Sequence, residues 1–131
     1  MGKDDLRFRK TEQAIQRAFL TLLKTNTFED ITIKEICALA ECNRNTFYLH
    51  YIDKHDLMEK MCNSAIEKMR QDILALPLRS FSSNNEWYMG LAKISLDVVE
   101  KDWDFYAVIL GLNRYPAFIE NFRTLLPSYV F

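Results

Sequence analysis

The side chains with the widest chemical scope lie close together in the first half of the chain. Cys37, Cys42, His50 and His55 follow the order Cys-Cys-His-His, the order of a zinc-binding finger. The seven residues between Cys42 and His50 fall short of the roughly twelve that such fingers use. Cys37 also falls on the apolar stripe of a helix. With Cys62 the thiols are odd in number and lack a CxxC spacing, so they read as reduced core cysteines of a cytoplasmic protein and no metal is expected. Two histidines and 3 glycines supply neither a nucleophile–His–acid set nor a phosphate-gripping glycine loop. An enzyme is therefore not expected, and no cofactor is implied. What remains is the run Asn43-Arg44-Asn45-Thr46-Phe47-Tyr48-Leu49-His50-Tyr51, dense in hydrogen-bonding and aromatic groups. Arg44 follows a helix-capping Asn43, where a long guanidinium can reach guanine O6 and N7.

The elements that must hold this run are legible from periodicity and caps. Ile15, Ala18, Phe19, Leu22 and Leu23 recur as one helical stripe, predicting a first helix from about Arg7 to Lys24. Thr32-Ile33-Lys34-Glu35 matches a capping box, opening a short helix with Ile33, Ile36, Cys37 and Ala40 on one face. Asn43 caps the next, and two short helices so close together form a helix-turn-helix. Asp53 caps the longest helix, with Met58, Met61, Cys62, Ala65, Ile66, Met69, Ile73 and Leu76 inward and Pro77 as its end. A loop is expected over Arg79–Asn85. Further helices follow around Trp87–Val98, over Asp102–Leu110, and from Pro116 onward with Phe118, Phe122 and Leu125 inward. The fold class is all-α.

Bulk properties agree and exclude little. Hydrophobic residues make up 49% of the 131, with 3 Pro, which suits helices better than a turn-rich sandwich. Net charge is −1. Residues 7–54 carry eight basic against six acidic groups and residues 56–131 eight against ten, too weak an asymmetry to name a partner. No apolar run approaches the ~18 residues of a membrane span.

A two-turn helix fits a major groove about 12 Å wide, and helix N-termini at Thr32 and Asp53 offer amides to flanking phosphates. The motif Thr46-Phe47-Tyr48-x-x-Tyr51-x-x-Lys54-x-x-Leu57, preceded by Ile33-x-x-Ile36-Cys37, resembles the DNA-binding region of TetR-type bacterial transcriptional regulators over roughly residues 9–60. The resemblance implies double-stranded DNA as partner, with Arg44, Asn45 and Thr46 facing the groove and Thr32, Tyr48, His50 and Lys54 holding phosphates. The alternatives are a packing aromatic for Tyr48 and a plain surface histidine for His50. Phe47, Leu49 and Tyr51 are expected in the core. Arg7, Arg9 and Lys10 read equally as a solvated run or as an arm on the DNA backbone. At the turn this family usually has Gly, and this chain has Glu41.

The resemblance divides the chain into a DNA-binding head, 1–52, and a regulatory body, 53–131. Lys101-Asp102-Trp103-Asp104-Phe105-Tyr106, then Leu110-Gly111 and Phe118, is similar to the C-terminal region of a branch that includes dihydroxyacetone-kinase-type regulators. Family members usually carry a few dozen further residues that pair two subunits, whereas this sequence stops at Pro127-Ser128-Tyr129-Val130-Phe131. The body is thus expected to be incomplete or to dimerise differently. Trp87, Tyr88, Met89, Trp103, Phe105 and Tyr106 suggest either an aromatic core or the lining of an effector pocket. The implied function is a homodimeric repressor on a palindromic operator, released by an effector. The alternative is a relative that acts through protein partners.

Overall fold

The computed structural model describes residues 2–75, 83–111 and 116–124. Among them are seven α-helices and no strand: α1 (Lys3–Leu23), α2 (Ile33–Ala40), α3 (Arg44–His50), α4 (Lys54–Leu74), α5 (Asn84–Lys101), α6 (Trp103–Leu110) and α7 (Pro116–Arg123). A 3-10 turn, Phe28–Asp30, joins α1 to α2. No helix of the described residues is long and apolar enough to cross a membrane.

Capping chemistry sets most boundaries. The Thr32 hydroxyl accepts from the Glu35 amide at 3.1 Å, while the Glu35 carboxylate takes the Thr32 amide at 3.2 Å, a reciprocal capping box. Asn43 and Asp53 cap α3 and α4 by accepting from the Thr46 and Asp56 amides, each at 2.8 Å. Helix α1 begins four residues before the expected Arg7. Its acidic first turn, Asp4 and Asp5, suits the positive helix end, but Gly2 gives no side-chain cap that could mark the start. Asn84 and Asn85, expected in a loop, form the first turn of α5 because Ser83 accepts from the Glu86 amide at 3.3 Å. The expectations for Leu76, Pro77, residues 79–82, Leu125 and 127–131 lie outside the described residues, as does the Phe122 side chain.

The turn between α2 and α3 is held by a left-handed residue. Glu41 has φ 58° and ψ 45°, and the Cys42 amide donates to the Cys37 carbonyl at 3.0 Å, the six-to-one bond of a Schellman ending. A side chain there costs about 1–2 kcal/mol. Glu41→Gly is expected to stabilise the protein by about 0.5–1 kcal/mol after the extra backbone freedom of glycine is subtracted. The check is a higher urea midpoint with an unchanged m-value.

One continuous core runs through the molecule. Ile15, Phe19 and Leu23 of α1, Ile36 of α2, Phe47 of α3 and Leu57 and Cys62 of α4 belong to the same buried cluster as Phe105, Tyr106, Ile109 and Phe118. Helix α1 packs on α2 and also touches α6, while α4 supports α5 and α7. The stripe residues predicted for α1 and α4 that lie among the described residues are buried or half-buried, as expected.

Candidate nucleic-acid interface

Helix α3 is seated by its inward residues. Phe47 is completely buried, Tyr51 nearly so, and their rings lie 5.7 Å apart. The Tyr51 hydroxyl accepts from Gln16 Nε2 at 2.9 Å, and burial pushes its phenol up to about 12. Beyond the helix end, the Ile52 amide donates to Asp56 at 2.9 Å. That bond, reinforced by Lys60, holds the Asp56 carboxyl below its ordinary range.

The opposite side of α3 is open. Arg44 and Asn45 are exposed, Thr46 is half-buried with its hydroxyl donating to Asn43 at 2.9 Å, and Tyr48 is 52% exposed. Leu49, expected in the core, is 75% exposed, and Ile52 is 78% exposed. Leu49 lies four residues after Asn45, hence on the same helix face, about 160° around from Phe47 at 3.6 residues per turn. The presented surface therefore combines a guanidinium, an amide, a phenol and a branched alkyl group.

Three of the expected phosphate contacts are placed otherwise. The His50 side chain is 2% exposed, stacked 3.9 Å from the Phe8 ring and 3.7 Å from a Glu12 oxygen. It joins the end of α3 to α1 instead of facing outward. The Lys54 ammonium donates to three carbonyls, Phe28 at 2.6 Å, Glu29 at 3.1 Å and Ile31 at 2.9 Å, and lies 4.5 Å over the Phe28 ring. An ammonium has three donors, so none is left for phosphate. The Thr32 hydroxyl donates to Glu35 at 2.9 Å. The helix ends at Thr32 and Asp53 are likewise occupied by the carboxylates of Glu35 and of Asp53 itself, which repel an anion. Tyr48 keeps an open position.

Sequence reasoning missed Leu49 and Ile52 as surface groups, although strict 3.6-residue spacing from Phe47 already places Leu49 outward. Arg7, Arg9 and Lys10 belong to α1, exposed and without an ion-pair partner among the described residues. The Phe8–His50 stack carries this basic segment against the end of α3, so it is helix and not a free arm. In the body, Phe105 and Tyr106 are buried and border two separate clefts. Trp87, Tyr88 and Trp103 border neither cleft, and Trp103 points largely into solvent. The five do not converge on one aromatic pocket.

No family model matches the chain. Over 114 residues, 84% of its length, it is 25% identical to an uncharacterized HTH-type transcriptional regulator, YxbF, of Bacillus subtilis (strain 168), and the match spans 29% of that protein. It superposes with a TM-score of 0.65 and 28% identity on the crystal structure of a TetR transcriptional regulator from Streptococcus agalactiae 2603V, covering 98% of this chain and 66% of the other. The chain thus spans less than two thirds of each relative. Its fold is the all-α fold of a TetR-type transcriptional regulator, with a helix-turn-helix at α2–α3. The relatives' names specify no branch of that group.

Proposed function

We propose that the protein is a sequence-specific regulator that reads double-stranded DNA through α3. Residues 1–52 form the DNA-binding head, and 53–131 form a body through which an effector acts. In this reading two copies bind a palindromic operator as a homodimer and repress it. The observation that carries the reading is the exposed face of Arg44, Asn45, Tyr48 and Leu49 on a short helix whose other face is locked by Phe47. Such a helix can enter a major groove. Arg44 reads a guanine, Asn45 an adjacent base and Leu49 a thymine methyl, while Tyr48 and the basic segment of α1 meet the phosphates.

Selection from a random DNA pool yields the bound sequence, and fluorescence anisotropy then compares that site with a scrambled one. Arg44→Ala is expected to lose about 1–3 kcal/mol on the selected site and far less on the scrambled one, relaxing preference at one base position. Equal losses on both remove Arg44 from base readout. A pool that yields no enriched sequence overturns the DNA reading in favour of action through protein partners.

A further inference from the structure

A cleft of about 360 Å³ opens where α1 meets α4 and α6. Its apolar lining is Leu20, Met61, Ala65 and Phe105, and Arg17, Lys68 and Asp102 stand among its polar groups. A second, separate cleft of about 290 Å³ adjoins this depression, sharing Ala65, Lys68 and Asp102 and adding Asp72 and Lys101. The first cleft has a volume within the range of small-molecule sites. Arg17 and Lys68, like Lys101 beside them, have no ion-pair partner among the described residues and are free to meet an anion.

We infer that this depression binds a small amphiphilic monocarboxylate. The carboxylate is recognised by Arg17 from α1 and Lys68 from α4, two cations on neighbouring helices that suit a charge-assisted clamp. The hydrocarbon body covers Leu20, Met61 and Phe105, which removes apolar surface from water. Asp102, with Asp72 in the adjoining cleft, sets the limit on charge, since a second anionic group meets a carboxylate. Diacids and phosphate esters are therefore disfavoured. Of the aromatic set expected from sequence, Phe105 and Tyr106 border these clefts, while the cations, which come from helices far apart in the chain, gave no pattern to find.

The location has a consequence. Arg17 belongs to the helix that carries the basic segment and packs on α2, whereas Lys68 and Phe105 belong to the following helices. A ligand gripping both sides ties the recognition unit to the body and so changes the energy of any hinge between them. This regulatory consequence rests on the DNA reading above; the binding of the carboxylate does not.

The test uses octanoate as probe, octanamide as its neutral counterpart and suberate as the diacid. At tenfold its dissociation constant, octanoate is expected to raise Tm by about 3–6 °C, with octanamide and suberate giving much smaller shifts. Arg17→Met and Lys68→Met, both at exposed positions, are each expected to weaken octanoate about tenfold or more by calorimetry while leaving the circular dichroism unchanged. No octanoate binding at millimolar concentration overturns the inference, as does equal binding of octanamide or undiminished binding by the double variant. These measurements need no DNA, so their failure leaves the DNA reading standing. Loss of DNA recognition likewise leaves the octanoate result intact.

Discussion

Phe47→Ala is expected to destabilise the protein by about 3–5 kcal/mol, the usual cost of emptying a fully buried aromatic site. Phe47 has no exposed surface and lies in the same cluster as Ile15, Phe19, Ile36 and Leu57. Truncation leaves a void against three other helices, because close-packed neighbours collapse only partly. Total stability of a small domain is about 5–15 kcal/mol, so the loss removes a large fraction of it. Urea unfolding followed by circular dichroism measures the change, and the fluorescence of Trp87 and Trp103 reports α5 and α6. Since one core runs from α1 to α7, both probes are expected to move together to a lower midpoint. Phe47→Leu keeps most of the volume and is expected to lose much less, within the range of shape-changing core swaps. A loss below about 1 kcal/mol for Phe47→Ala would show that α3 is not seated by this ring, and a second transition confined to the tryptophan signal would show that the core does not unfold as one unit.

The elements that position α3 were legible because their signals are local. Thr32 with Glu35, Asn43 with Thr46 and Asp53 with Asp56 each satisfy amides within one turn, so three residues of sequence carry the whole interaction. The α1 stripe was equally readable from spacing. The 3-10 turn at Phe28–Asp30 was not, since three residues hold no period. Ser83 and Glu86 did carry a cap signal, hidden within a stretch whose composition suggests a loop.

The candidate site was legible in its location and less so in its chemistry. Exposure of Arg44, Asn45 and Tyr48 follows from the helix phase fixed by Phe47. The fates of His50 and Lys54 depend on partners 23 to 42 positions away in sequence, Phe8, Glu12, Phe28, Glu29 and Ile31 among them, and no pattern within a motif predicts such pairs. A cation next to a DNA-reading helix invites assignment to phosphate. A lysine can equally be consumed by turn carbonyls that a single amide bond, or none, leaves under-satisfied, because an unpaired buried carbonyl costs free energy whatever surrounds it. In the DNA reading proposed above, the backbone contacts then fall to Tyr48 and the exposed arginines and lysine of α1.

Lys54→Ala separates these two roles, and it is expected to act on stability before it acts on DNA. The ammonium closes the chain reversal at Phe28–Ile31 by binding three carbonyls, and Ile31 beside it is buried. Removing it leaves the Phe28 and Ile31 carbonyls part-buried without this donor, while the Glu29 carbonyl can turn to water. A hydrogen bond from a charged donor contributes about 1.5–3 kcal/mol, and the Ile31 carbonyl, left without a donor while Phe28 keeps the Ile31 amide, adds a desolvation penalty of similar size. With partial access of water to the site, the expected loss is about 2–4 kcal/mol. Lys54→Arg keeps the charge but replaces a compact donor by a planar fork, so it is expected to recover only part of that loss. The DNA measurement is made at a temperature where the variant remains folded. There, the log–log slope of affinity against salt is expected to match the parent protein, since no phosphate contact has been removed. A lysine that neutralises a phosphate would instead lower that slope by about 1. A stable Lys54→Ala protein with a reduced salt slope would return Lys54 to the DNA interface and would make its carbonyl contacts incidental.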